Sequence, residues 1–220
     1  MSKLLIVQPT YYRSKSDCSL YKTKSRTLTG LTLPYLAALT PPEWDMELVD
    51  EQLTDIDFDA SVDLVAITAW TINSFRAYDI ARRFRDRGIP VIMGGPHTFF
   101  HSDETAEHCD AVGIGEGEDI WPIMLRDAAT GTLQKFYRAS APYDLKGLPL
   151  PRYELMNHRG SPWAQTYSVQ SSRGCPFKCD FCSERFYMGT RYRFRPVQEI
   201  VDEIRRIKAK NIFFSDSMFA

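Results

Sequence analysis

The sequence predicts an α/β protein: a parallel sheet first, then a second and shorter βαβ unit. Three observations predict it. Apolar, β-rich runs alternate with segments of helical periodicity from the N-terminus onward. The links between them are short, as in parallel strands joined by crossover helices. Three of the runs end in small or flexible residues, namely Thr68-Ala69-Trp70-Thr71, Gly94-Gly95-Pro96-His97 and Gly115-Glu116-Gly117-Glu118. Ligands of open parallel sheets bind at such carboxyl ends.

The elements follow in order. Leu4–Val7 reads as a buried strand closed by Gln8-Pro9, and Thr10 to Thr27 as a polar segment with Arg13, Lys15, Lys22, Lys24 and Arg26. Gly30–Leu39 is an apolar helix stopped by Pro41-Pro42. Met46–Val49 and Asp63–Thr68 are the second and third strands. Asn73–Arg87 has helical spacing, with Phe75, Tyr78, Ile80, Ala81 and Phe84 facing inward, arginines outward and Gly88 at its C-terminus. Pro90–Met93 is the fourth strand, Asp103–His108 a short helix, Ala111–Ile114 the fifth strand, and Asp119–Ala129 a helix stopped by Gly131. Five such strands fit the flavodoxin-like (Rossmann-type) order 2-1-3-4-5 over residues 1–131. Residues 132–166, with Pro142, Pro149, Pro151 and Pro162, read as a linker holding one short helix near Tyr153–Met156. The second unit, 167–220, has a strand at Tyr167–Ser171, an amphipathic helix at Pro196–Lys210 with Val197, Ile200, Val201, Ile204 and Ile207 on one face, and a strand at Asn211–Phe214.

Composition is that of an ordinary globular chain, 44% hydrophobic and 25% charged. The net charge of −1 gives no general reason to expect nucleic acid. Local charge is less even: residues 41–65 carry nine acids and no Lys or Arg, and 173–210 carry ten basic residues against five acids. Both read as solvated surfaces. No apolar run approaches a membrane span, and clustered rather than paired cysteines suit a reducing, cytoplasmic setting. Isolated Cys109 reads as a small apolar core residue, and Cys18 as part of a polar loop.

The chemistry concentrates in Cys175-x-x-x-Cys179-x-x-Cys182. Thiolates are the usual ligands of iron–sulfur clusters, and a 4Fe–4S cluster normally takes four. Three ligands this close leave one iron open to a substrate, which points to catalysis more than to electron storage. A zinc knot would need a fourth ligand such as His108 or His158 to fold back, since no second cysteine pair follows. A disulfide would leave an odd thiol.

With Arg173-Gly174-Cys175-Pro176 before it and Phe181 before the third cysteine, this motif resembles the signature of radical S-adenosylmethionine (SAM) enzymes. The resemblance implies that Cys175, Cys179 and Cys182 ligate a 4Fe–4S cluster whose open iron chelates SAM, and that SAM is cleaved reductively to a 5′-deoxyadenosyl radical. It also implies that Phe181 presents backbone atoms to the adenine, and that Asp216 contacts the SAM amino group. For Asp216 the reading of a turn aspartate stands equal beside it. The strand Asp63-Leu64-Val65-Ala66-Ile67-Thr68, the two glycine loops and the linker Leu148-Pro149-Leu150-Pro151-Arg152-Tyr153 resemble the subfamily with a cobalamin-binding domain ahead of the radical SAM domain. That resemblance implies cobalamin at Thr68, Trp70, Gly94, Gly95, Gly115, Glu116 and Gly117. No histidine lies in Asp-x-His-x-x-Gly, so His97 reads as a turn residue rather than a cobalt ligand.

Residues 167–220 would form only the first βαβ part of an incomplete radical SAM (β/α) barrel, leaving Ile212, Phe213, Phe214, Met218 and Phe219 without covering partners. The expected activity is methyl transfer, or radical rearrangement or cyclisation, on an unknown small-molecule substrate. It would need an electron donor such as flavodoxin or ferredoxin, and a further C-terminal portion. The alternatives are a corrinoid-binding module with a non-catalytic metal knot, an inactive truncated product, and an electron-transfer protein.

Overall fold

A computed structural model describes residues 1–14, 18–156 and 165–219 of the chain. β1 (Ser2–Gln8) lies at the heart of a parallel sheet because its run of Leu4, Leu5, Ile6 and Val7 is apolar on both faces. It pairs with β3 (Trp44–Asp50) on one side and β4 (Leu64–Thr68) on the other, with Leu4 opposite Met46 and Leu64. Beyond β4 come β5 (Val91–Gly94), β6 (Ala111–Ile114) and β7 (Phe136–Arg138), giving the order β3-β1-β4-β5-β6-β7. The first five strands keep the flavodoxin-like order. The sixth lies in the stretch expected to be a linker, where its three residues are too few to show a period.

The two faces carry separate cores. Leu5, Val7, Val65, Ile67 and Met93 pack under α2 (Ser74–Arg85) and α4 (Ser102–His108). Leu4, Ile6, Ala66 and Ile92 pack under α1 (Thr32–Leu39) and α5 (Gly117–Ala129). Phe84, fully buried from α2, contributes about 1.5–3 kcal/mol by leaving water. Cys109 is fully buried, and burial pushes its thiol up to about 12, so it is an inert core residue.

α2 departs from its expected faces. Phe75, placed inward from the periodicity, is 61% exposed, while Arg76, placed outward, is buried. The cause is Glu51, itself 1% exposed, which takes Arg76 as its counter-charge. A buried carboxylate must be paired. Part of the acidic run is therefore internal rather than a solvated surface. Arg26 binds Asp50, and Lys22 binds Asp55 at 2.7 Å and the Glu51 carbonyl at 2.6 Å. These contacts tie the polar segment after β1 across the acidic end of β3.

That segment then supplies β2 (Leu28–Thr29), which pairs in parallel with β8 (Thr166–Val169). On the other edge β8 pairs in parallel with β11 (Asn211–Phe214). The second sheet thus has three strands, β11-β8-β2, and is not a closed barrel. α7 (Val197–Ile207) crosses between β8 and β11 as expected, closing at Lys208 in the left-handed region. Its apolar face is only partly covered: Val197 is 74% exposed, and the best-buried side chain is Glu203, paired at 2.6 Å with buried Arg195. Of the residues expected to lack covering partners, Phe213 and Phe219 are exposed, whereas Ile212, Phe214 and Met218 are partly buried and the Phe214 and Phe219 rings pack with centres 4.7 Å apart.

Candidate functional site between the two sheets

The carboxyl ends of both sheets face one cleft of ≈ 560 Å³. From the first sheet it is lined by Thr68, Trp70, Gly94, Gly95, Gly115, Glu116 and Gly117, which are the positions expected to meet cobalamin. From the second it is lined by Phe213, Asp216 and Ser217. Its inner wall is apolar, with Leu36, Leu39, Ile120, Trp121 and Met124 from α1 and α5. Sequence reasoning missed this wall, because helix residues that line a slot carry the same spacing as residues that fill a core.

Each glycine loop has a geometric reason. Gly95 has φ 104° and ψ −179°, a conformation nearly restricted to glycine. A Cβ there would sit 2.7 Å from the Ala69 carbonyl oxygen, so the loops after β4 and β5 touch backbone to backbone. Pro96 then opens α3 (Pro96–Phe100), a helix that the turn-like sequence concealed. His97, on that helix, is 2% exposed and does not line the cleft. Its Nε2 lies 2.7 Å from the Tyr78 hydroxyl and its Nδ1 lies 3.3 Å from Thr71 Oγ1. Burial, then neighbouring His101, hold the imidazole below its ordinary pKa.

Asp216 accepts the Ser171 N–H at 2.7 Å and the Ser172 N–H at 2.9 Å, and also binds the Ser171 hydroxyl. Both carboxylate oxygens therefore fasten the end of β8 while the residue faces the cleft. β9 (Ser172–Arg173) follows and pairs antiparallel with β10 (Arg193–Phe194). This bridge pins both ends of the cysteine loop, which contains α6 (Glu184–Tyr187). Gly174, in the left-handed region, lets the loop pass against the Arg191 carbonyl, where a Cβ would collide.

The three thiols on this loop are free, Cys179 exposed and Cys175 and Cys182 partly exposed. The loop is held through backbone, by Cys175 N–H to Gly189 O and Cys182 N–H to Cys179 O, each 3.2 Å. Among the described residues no three His, Cys, Asp or Glu side chains converge on a point where a metal ion could sit. The donor set still suits an iron–sulfur cluster: three soft ligands close in sequence, none oxidised to a disulfide. Phe181, at 93% exposure, lies on the same loop and does not line the cleft. Of the histidines weighed as a fourth ligand, His108 stacks on Tyr78 and His158 lies outside the described residues.

Four charged side chains bury themselves where the two halves meet. Arg173 Nη1 donates to Glu116 at 2.8 Å and to Glu118 at 2.6 Å, with Arg173 Nε on Gln170 at 2.7 Å. Arg193 Nη1 donates to Glu116 at 2.8 Å and to the Tyr143 carbonyl at 2.6 Å. The Tyr143 N–H also donates to Glu116, at 2.7 Å. Burial alone would raise the Glu116 carboxyl, but the two guanidiniums hold it below its ordinary pKa. Burial, then the Glu118 charge, push the Tyr35 hydroxyl up.

The B12 binding domain family matches residues 35–125, and the radical SAM superfamily matches 169–217. The chain belongs to the radical SAM proteins that carry a B12-binding domain. It is 33% identical over 197 residues to bacteriochlorophyllide d C-8(2)-methyltransferase of Chlorobaculum tepidum, covering 87% of this chain and 43% of that protein. It is 29% identical over 219 residues to hopanoid C-2 methylase of Rhodopseudomonas palustris, covering 93% and 40%. The chain thus spans about half, or less, of the length of these curated relatives. The fold matches the radical SAM methyltransferase TsrM of Kitasatospora setae, in a structure with tryptophan substrate and a SAM analogue bound. There the TM-score is 0.70 at 18% identity, over 99% of this chain and 48% of that one. A second TsrM structure, with cobalamin and a [4Fe-4S] cluster bound, gives a TM-score of 0.66. Among the described residues no helix is long and apolar enough to cross a membrane.

Proposed function

We propose that this chain carries the corrinoid and SAM halves of a methyl-transferring radical SAM enzyme acting on a small molecule. The observation that carries the reading is the shared cleft, onto which the glycine loops of the first sheet and the Asp216 end of the second both open. Residues 1–138 would hold cobalamin, with the bare backbone at Gly94, Gly95, Gly115 and Gly117 admitting the corrin edge and Trp70 beside it. Residues 166–217 would hold SAM, with Cys175, Cys179 and Cys182 as cluster ligands, Phe181 beside the adenine and Asp216 keeping the end of β8 in place. When bound, the cluster supplies the electron that cleaves SAM, and cobalamin supplies a methyl carrier. The apolar inner wall excludes water from that space. A small electron-transfer protein such as flavodoxin or ferredoxin would reduce the cluster.

Anaerobic reconstitution tests this. It should give about four iron and four sulfide per chain. Added SAM should perturb the EPR spectrum of the reduced cluster, and Cys179→Ala should remove both signals. Hydroxocobalamin should bind with a shift in its visible spectrum. Stoichiometric zinc with no iron uptake would overturn the reading in favour of a metal knot.

A further inference from the structure

We propose that Glu116 is a positioning residue that holds the cysteine loop against the first sheet, making Gly115-Glu116-Gly117-Glu118 a clamp between the two halves as well as a glycine loop. The proposal rests on the function above only for what the loop carries; the clamp itself is a contact within the protein.

The geometry points to Glu116 because its carboxylate is engaged by two arginines of the other half. It accepts from Arg173, which stands two residues before Cys175, and from Arg193, in the strand that closes the loop. It also accepts the Tyr143 N–H. These three partners come from separate places in the chain, and all meet on one side chain at the N-terminal end of α5. Glu118, in the first turn of that helix, takes the remaining reach of Arg173 and the Tyr35 hydroxyl at 3.1 Å. The Arg173 guanidinium also lies 5.8 Å from the centre of the Tyr35 ring.

Two guanidiniums and two carboxylates make the cluster neutral, and all four side chains are at most 10% exposed. Arg173 Nη1 donates to two carboxylates at once while its Nε donates to Gln170, which fixes the direction of the planar guanidinium as well as its distance. On the loop side, Arg173 is joined to Cys175 only through Gly174, which is wedged against the Arg191 carbonyl. Asp216, at the end of the second sheet, holds the preceding Ser171 and Ser172 amides. The cysteine loop therefore leaves a base gripped from both halves, and the placement of Arg173, two residues before its first thiol, follows the Glu116 carboxylate.

Hydrogen–deuterium exchange on the intact 220-residue chain, without cofactors, tests the clamp. Glu116→Gln keeps the size of the side chain and removes its charge. Its exchange should rise about ten-fold across residues 172–194, with protection in β1, β4 and β5 unchanged. Glu116→Asp, which keeps the charge, should recover part of that protection. In cofactor-loaded protein, the dipolar distance between cob(II)alamin and the reduced cluster should be single in the wild type and broadened in Glu116→Gln. Three results would overturn the proposal: unchanged exchange at 172–194, an equal rise throughout the chain, or a more than ten-fold loss of hydroxocobalamin affinity with the loop unchanged. Failure of the wild type to load cofactors would instead refute the proposed function and leave the exchange result to decide the clamp.

Discussion

Gly95→Ala is the substitution whose cost the structure defines most closely. Two penalties combine. At φ 104° and ψ −179° alanine occupies a region essentially reserved for glycine, which costs about 1–3 kcal/mol. Its Cβ would also stand 2.7 Å from Ala69 O and 2.9 Å from Ala69 N. Those atoms cannot swing aside, because Ala69 N–H donates to Gly94 O at 2.8 Å and Ala69 O accepts from His97 N–H at 3.0 Å. Displacing packed backbone adds about 1–3 kcal/mol, so the expected total is about 2–6 kcal/mol. Gly88→Ala is the control. It too has positive φ, 76°, but its Cβ would meet nothing within 4 Å, so it should lose only about 1–2 kcal/mol. The gain from a stiffer unfolded chain is common to both and cancels in the comparison. Urea unfolding followed through the fluorescence of buried Trp44 and Trp121 measures both variants. Because the displaced loops line the cleft, hydroxocobalamin affinity should fall in Gly95→Ala and hold in Gly88→Ala. Equal stability losses in the two variants would refute the claim of backbone contact between the loops.

Two further outcomes follow from buried charge. Arg76→Met strands Glu51, 1% exposed, without its counter-charge and should cost about 3–5 kcal/mol in urea unfolding. Adding Glu51→Gln should recover part of this, and a loss below about 1 kcal/mol would show that the pair is not buried in solution. For pH, His97 and Glu116 both have folded pKa values below their ordinary ones of 6.5 and 4.5. Each binds its proton less readily folded than unfolded, so its contribution is full above the ordinary value and lost as pH falls through the folded one. Glu203 works the other way: burial raises its carboxyl, and its contribution is lost as pH rises. The urea midpoint should therefore fall on acidification first below 6.5 and again below 4.5, and Glu116→Gln should flatten the second fall alone. A second fall of unchanged depth in that variant would assign it to other carboxylates.

The sequence alone determined the parallel sheet, its strand order and the residues that face the cleft from its glycine loops. Those features rest on local chemistry: apolar runs buried on both faces, and glycine where backbone must approach backbone. It also determined the cysteine motif, because three ligands in eight residues need no tertiary contact to be seen. The short strands were not legible. β2, β7, β9 and β10 are two or three residues long, and each exists because a distant partner is there to bond it. Burial of charge was decided only in three dimensions. Arg76 reads as one of a solvent-facing row until Glu51 is seen beneath it, and Glu116 reads as a loop carboxylate until Arg173 and Arg193 arrive from residues far along the chain. The reason is that a charged side chain reveals its exposure only through its counter-charge, and here the counter-charges lie 25, 57 and 77 residues away in sequence.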